Sequence, residues 1–278
     1  MVKLNDKNVI ELGTPKVISR GRCKYGVFID TETCNMDKMI FDFSGKVINL
    51  KTGAIKEEFS FVIEDTYKTR NIITGQFSRK KRKDYPKLLR NGSYKMITRQ
   101  ELVDFLQKLF TTYKIDVVGA FNIAFDLQAL YNTLTYTNSR MKYFKKPIIQ
   151  ELEELEFFKV DMLDLWAFAS IIFHSKEYKA WYIQKGYKLT PKGCMKTGVE
   201  MLCRFLKENT FFKELHKGQA DLDNEHLIFI ASCLMRNNKK MLVNVSGLKA
   251  VSTLAKPQRA KTNSKTYQMF IKQTLVSC

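Results

Sequence analysis

Val27-Phe28-Ile29-Asp30-Thr31-Glu32-Thr33 decides how the rest of the chain is read. Tyr25 to Ile29 is a short apolar run, predicted to be a strand that ends at Asp30, and the two-residue period of a strand turns Asp30 and Glu32 to the same face. Two carboxylates aimed at one point repel unless a cation sits between them, and an all-oxygen donor set suits Mg²⁺ or Mn²⁺. On its own the same Asp-x-Glu also fits a solvated loop. Two further β-like stretches follow, Met39 to Leu50 and Ile55 to Ile63, with Gly45 and Lys51-Thr52-Gly53 as turn residues. The expectation is a three-stranded meander.

Beyond the meander the period changes to that of helices. Thr98 stands three residues before Glu101, a capping-box spacing, and Leu102, Phe105, Leu106, Leu109 and Phe110 then recur on one helical face. Ile115 to Phe121 reads as a strand ending at Asn122, and Ala124, Leu127, Leu130 and Tyr131 resume a helix in which Asn122 and Asp126, four apart, share a face. An acid so placed could equally complement the helix dipole. Phe157 to Val160 reads as another strand, with Asp161 as the N-cap of a helix carrying Leu163, Trp166, Phe168 and Ile171. Val199 to Phe205 and Leu222 to Met235 are two more helices. His216 and Asp221, five apart, point in different directions on one helix, so a shared site requires His216 in a loop, which Gly218 makes feasible. This order of elements predicts an α/β fold, a mixed β-sheet flanked by α-helices, and matches the ribonuclease H-like arrangement.

Composition narrows the partner. The chain has 278 residues, 45% of them hydrophobic, enough for a full core in one main domain. Lys and Arg outnumber Asp and Glu 47 to 28, a net charge of +19. That surplus favours a polyanion such as nucleic acid, although anionic membrane surfaces attract basic chains too. There is no apolar run of membrane-spanning length and no leader-like stretch, so the expectation is a cytoplasmic protein with no membrane partner. The six cysteines form no CxxC pair and no zinc spacing, which favours reduced thiols. The expected organisation is an N-terminal extension at 1–20, a main domain at 21–245 and a basic tail at 246–278. Within the domain, 68–99 reads as a basic insertion that includes Arg79-Lys80-Lys81-Arg82, either a solvated loop or an element gripping a nucleic-acid strand through these four residues.

Taken together, three motifs resemble the DEDDh 3′→5′ exonuclease family. Val27 to Thr33 looks like its first motif, an apolar strand ending in Asp-x-Glu-Thr. Val117-Val118-Gly119-Ala120-Phe121-Asn122-Ile123-Ala124-Phe125-Asp126-Leu127 looks like the second, with Ala120 and Phe121 where Gly-His is usual. His216-Lys217-Gly218-Gln219-Ala220-Asp221 satisfies the third, His-x4-Asp, without the usual Ala two residues after the His. The resemblance spans about Tyr25 to Met235 and fits phage-encoded members as well as cellular ones. It implies that Asp30, Glu32, Asp126 and Asp221 hold two divalent ions, Mg²⁺ or Mn²⁺, that His216 is the general base, and that Thr33 and Asn122 position the terminal nucleotide. The implied reaction releases 5′-mononucleotides from the 3′ end of single-stranded or frayed DNA. An exoribonuclease sharing all five residues and a catalytically silent nucleic-acid-binding module are the alternatives, and a polymerase or replication partner is not readable. Asp161 and Asp164 also invite reading as a sixth ligand, but Asp161 resembles the helix-capping Asp that family members carry, while His174 and His226 match no motif position.

Overall fold

The computed structural model describes residues 2–34, 38–69, 83–235 and 240–245; Arg79, Lys80, Lys81 and Arg82 and the tail from residue 246 lie outside the described residues. Three short strands, β1 (Lys3–Leu4), β2 (Ile10–Glu11) and β3 (Lys16–Ser19), precede the meander β4 (Tyr25–Thr33), β5 (Ile40–Asn49) and β6 (Ile55–Ile63). The β5–β6 turn is closed by Asn49, whose Oδ1 accepts from the amides of Lys51 (3.0 Å) and Thr52 (3.1 Å). Gly45 is not a turn residue as expected: it lies within β5, under the ring of Phe59.

The chain continues through α1 (Glu64–Lys68), α2 (Tyr85–Arg90), β7 (Lys95–Ile97), α3 (Arg99–Tyr113), β8 (Val117–Ala120) and α4 (Ile123–Thr135). It then forms β9 (Asp161–Asp164), α5 (Leu165–Phe168), α6 (Ser170–Phe173), α7 (Lys176–Gln184), α8 (Val199–Leu206), α9 (Gly218–Met235) and β10 (Lys240–Val243). Six strands make one mixed sheet in the order β7-β6-β5-β4-β8-β9. The meander is antiparallel, while β8 runs parallel to β4 and β9 parallel to β8. An antiparallel meander followed by parallel strands reached through helical crossovers, with helices on both faces, is the ribonuclease H-like arrangement. β7 adds a parallel strand at the outer edge of β6.

Alternation along β4 divides the interior. Val27 and Ile29 pack with Leu102 and Leu106 of α3 and Leu127 and Leu130 of α4. Phe28, on the opposite face, packs with Leu222 and Phe229 of α9 and Leu165 and Phe168 of α5. Phe28 meets Phe229 edge to face, centroids 4.8 Å apart, which seats α9 on the centre of the sheet. By the same alternation Asp30 and Glu32 belong to the Phe28 face, the one that α9 covers.

Several elements differ from expectation. Glu156–Phe158 is a 3₁₀ turn rather than strand, and the strand begins at Asp161. Asp161 therefore caps no helix; it pairs with Lys16 (2.9 Å) and accepts from Asn244 Nδ2 (3.1 Å). The cap is Asp164, whose carboxylate accepts from the amides of Trp166 and Ala167. The described part of the basic 68–99 segment is built into the fold. Tyr85 and Tyr94 are buried, β7 joins the sheet, and Arg99, 1% exposed, donates to the carbonyls of Thr133, Tyr136 and Tyr143. Apolar burial decides this, and the lysines and arginines around those tyrosines disguise it. The Thr98–Glu101 capping box forms as expected.

Gly119 lies where the Phe28 ring crosses β8: a Cβ there would meet the ring at 2.7 Å. Gly119→Ala is expected to lower stability by about 1–3 kcal/mol through overpacking, read from urea unfolding midpoints; coincident midpoints would show that the ring moves aside at no cost.

Candidate metal centre

Strand β4 runs on past its parallel partner, since the last β4–β8 pair is Phe28 with Gly119 and β8 ends at Ala120. Asp30 and Glu32 therefore extend beyond the carboxyl end of β8, in the crevice where the strand order reverses, the usual place for a site in an open α/β sheet. A register shift falls between Glu32 and Thr33 and lets β4 diverge from β5 there.

Helix α4 supplies the second contribution. Asn122 precedes it in a left-handed conformation (φ 69°) and is exposed, so it stands outside the helix rather than sharing a face with Asp126. Asp126, in the first turn, is 4% exposed, and its Oδ1 accepts from the amide (3.1 Å) and the hydroxyl (2.8 Å) of Thr31. The middle residue of Asp-x-Glu thus ties the second carboxylate to the first pair.

Helix α9 supplies the third. His216 adopts a left-handed conformation (φ 51°) just before the helix, which begins at Gly218. That arrangement brings His216, exposed, together with Asp221, buried, and Glu32: one donor atom from each lies within 4.8 Å of the others. Gly218 cannot carry a side chain, because a Cβ would meet Ser44 Oγ at 2.5 Å and Asp42 Oδ1 at 2.9 Å. Its amide instead donates to Asp42 Oδ2 (3.3 Å). Asp42 is fully buried in β5 and also accepts from Tyr85 (2.5 Å) and Ser44 (3.0 Å), while the Tyr94 hydroxyl accepts from the Gln219 amide (3.3 Å). Lys217 pairs with Asp84 at 2.9 Å. The turn carrying His216 is thus fastened to β5 and to the segment that follows residue 82.

A further carboxylate, Glu225, joins the cluster from α9, one helical turn after Asp221. It is 3% exposed, and its Oε1 accepts from the Phe121 amide (3.2 Å). Sequence reading overlooked it, although the i, i+4 spacing from Asp221 was available as a signal. Burial raises the proton affinity of Asp30 well above the ordinary carboxylate range, reinforced by the charges of Glu225, Asp126, Glu32 and Asp221. Burial pushes Asp126 up to about 8, against the opposing hydrogen bonds from Thr31. Burial, then the charges of Asp126 and Asp221, raises Glu225 as well.

These residues fit divalent cations. Asp30 Oδ2 and Glu225 Oε2 are buried yet accept no hydrogen bond, a costly state for carboxylate oxygens unless a proton or a cation compensates it. The donors are carboxylate oxygens with one imidazole, a set that suits Mg²⁺ or Mn²⁺. Of the remaining sequence candidates, Thr33 ends β4 beside the cluster, His174 bonds the Ser170 carbonyl (2.9 Å) and His226 that of Gly53 (2.8 Å), both apart from it.

No family model and no curated protein matches the chain. Among solved structures, the chain is similar to the nuclease domain of 3′hExo, a DEDDh family member, bound to rAMP, with 16% identity and TM-score 0.44 over 81% of this chain and 98% of that one. A 3′-exonuclease described with the histone mRNA stem-loop gives 14% identity and TM-score 0.43 over 82% of this chain and 69% of that one. Exonuclease I from E. coli, in complex with a dA16 oligonucleotide, gives 14% identity and TM-score 0.43 over 83% of this chain and 43% of that one.

A carboxyl group whose proton affinity is raised on folding makes the native state the better proton binder. Its contribution therefore weakens as pH climbs from the unfolded value of 3.8 towards about 8 for Asp126. The metal-free protein is expected to lose thermal stability across that window, and Mg²⁺ to restore most of the loss at the alkaline end. Melting temperatures in EDTA and in Mg²⁺ along a pH series test this, and a metal-free protein whose stability rises over the window would contradict it.

Proposed function

We propose that the chain is a two-metal-ion nuclease of the DEDDh type, a 3′→5′ exonuclease acting on single-stranded or frayed DNA ends. One observation carries the reading: Glu32 of the first motif converges within 4.8 Å of His216 and Asp221 of the third, beside the buried Asp126 of the second and the half-buried Asp30. Asp30, Glu32, Asp126 and Asp221 would hold the cations. When bound, two divalent ions supply Lewis acidity at both the attacking and the leaving oxygen of an in-line phosphoryl displacement.

The chain's own residues do the rest. His216, exposed at the rim on a fixed turn, accepts the proton of the attacking water, the task for which an imidazole is suited near neutral pH. Asp126 keeps Asp30 and Glu32 in line through Thr31. Thr33 and Asn122, at the end of β4 and at the start of α4, flank the cluster and position the terminal nucleotide. Arg79, Lys80, Lys81 and Arg82 hold the strand further from its end. Support for that role is the anchoring of the segment after residue 82 to the His216 turn, through Lys217 with Asp84 and the Tyr85 hydroxyl on Asp42.

The deciding assay digests matched single-stranded DNA and RNA, labelled at the 3′ or the 5′ end, with and without Mg²⁺. The expected result is Mg²⁺-dependent release of 5′-mononucleotides from the 3′ ends of DNA; digestion of RNA in preference to DNA would instead mark the exoribonuclease alternative, whose site recognises the 2′-hydroxyl. Asp221→Ala should abolish the reaction, and His216→Ala should slow it by about 10²-fold or more at unchanged affinity for nucleic acid. Activity within about tenfold of wild type in Asp221→Ala would remove the two-metal reading, which asks far more than one decade of those carboxylates. Neutralising Arg79, Lys80, Lys81 and Arg82 together should flatten the salt dependence of single-strand binding by about 0.7 per lost phosphate contact and leave saturated turnover nearly unchanged. An unaltered salt slope would place the phosphate contacts elsewhere.

A further inference from the structure

A carboxylate beyond the motif set enters the same space. Glu225 lies four residues after Asp221 on α9, so both side chains leave the helix on one face, the face turned to β4. Its two oxygens are in different situations. Oε1 accepts the Phe121 amide at 3.2 Å, at the point where β8 gives way to α4. Oε2 is buried and accepts no hydrogen bond, on a residue only 3% exposed. Asp30 Oδ2 is in the same condition, and the charge of Glu225 bears on Asp30 more strongly than that of any other acid.

A glutamate required only to receive the Phe121 amide would need one acceptor oxygen. A glutamine would provide that acceptor in the same shape without bringing another anion into a group of buried acids. Retaining a charged group with an unoccupied oxygen in such a place is costly in the metal-free protein and reasonable where a cation is bound. We infer that Glu225 contributes a fifth carboxylate to the divalent-ion centre, Oε1 fixing it to the β8–α4 turn and Oε2 facing the cations or their water. This rests on the two-metal reading above. It gives the centre more negative charge than its motif residues provide, and makes α9 contribute two acids from successive turns. Tighter cation binding follows from the added charge, as does a larger penalty when the cations are removed.

The test is calorimetric titration of Mn²⁺ into the wild-type protein and into Glu225→Gln, with no nucleic acid present. Metal-induced shifts in melting temperature and circular dichroism of the metal-free proteins are recorded alongside. Glu225→Gln keeps the acceptor for Phe121 and removes the charge. It should bind Mn²⁺ at least about tenfold more weakly, the usual cost of altering a group that supports a metal site. It should also melt higher than wild type without metal and gain less on adding it. A role confined to holding the Phe121 amide predicts none of these changes. Glu225→Asp, which keeps the charge on a shorter arm, should fall between the two in affinity and serves if the glutamine variant misfolds. Mn²⁺ affinity within about twofold of wild type in Glu225→Gln, well short of that tenfold expectation, overturns the inference alone. A wild-type protein that binds no Mn²⁺ overturns the two-metal reading and this inference with it.

Discussion

Like charges gathered where water is scarce repel: at an effective dielectric constant of about 20, two carboxylates roughly 4 Å apart oppose each other by about 4 kcal/mol. Asp30, Asp126, Asp221 and Glu225 are placed under that constraint by three separate elements, and none of these elements is free to relieve it. β4 lies between two strands of the sheet. α4 is held through Asp126 on Thr31. α9 is seated by Phe229 against Phe28, and Lys46, nearly buried in β5, pairs with Glu58 (2.7 Å) and with Asp223 on the first turns of that helix. With splaying prevented, the remaining ways to lower the energy are protons or cations. The hydrophobic core thus preserves an arrangement that is unfavourable by itself.

The second constraint is conformational. His216 comes just before α9 and can turn towards Asp221 only through a left-handed residue at the helix entrance, a conformation costly for a residue with a Cβ. The cost is offset locally. Gly218 lets the helix end approach β5 closely enough for its amide to reach Asp42, and Tyr85 and Ser44 complete the hydrogen bonding of that buried carboxylate. Asp42 is itself pushed up to about 6 by burial, against these same hydrogen bonds. The interval in His-x4-Asp is thereby given a mechanical meaning: it spans a strained turn, a glycine contact and the first turn of a helix.

How much of this could be read beforehand depended on the range of the interactions. The meander, the capping box at Thr98 and the placing of His216 in a loop were legible because they follow from spacing and local chemistry. Asn122 was misplaced onto a helix face because an i, i+4 count does not reveal where a helix starts. Asp161, read as the helix cap, comes three residues too early; only its pairing within β9 shows that the strand runs on and leaves Asp164 to cap the helix. The segment after residue 82 was obscured by its charge, since Tyr85 and Tyr94 are ordinary aromatic residues until Asp42 and Gln219 are brought to them from distant parts of the chain. Glu225 was hidden for the opposite reason. Its spacing from Asp221 was visible, but an acid on an otherwise mixed helix reads as surface until α9 is known to lie with that face against the sheet.

The two electrostatic features of the chain, a net charge of +19 and a buried nest of acids, have opposite signs and acquire a joint meaning on the proposed reading. A phosphodiester is attracted by the basic exterior over distances comparable to the Debye length. It is repelled by the carboxylates at the last few ångströms unless cations stand between. Binding of strand and binding of cations are then coupled at the reactive end and independent along the rest of the strand. The same coupling confines chemistry to ends: a strand can lie on the basic surface anywhere along its length, but only a terminus that can leave its neighbours reaches a crevice bounded by the end of β4, the start of α4 and the His216 turn. A preference for ends over interiors is on this view a consequence of a recessed negative centre beneath a positive surface, while the choice of the 3′ end falls to the residues that position the terminal nucleotide.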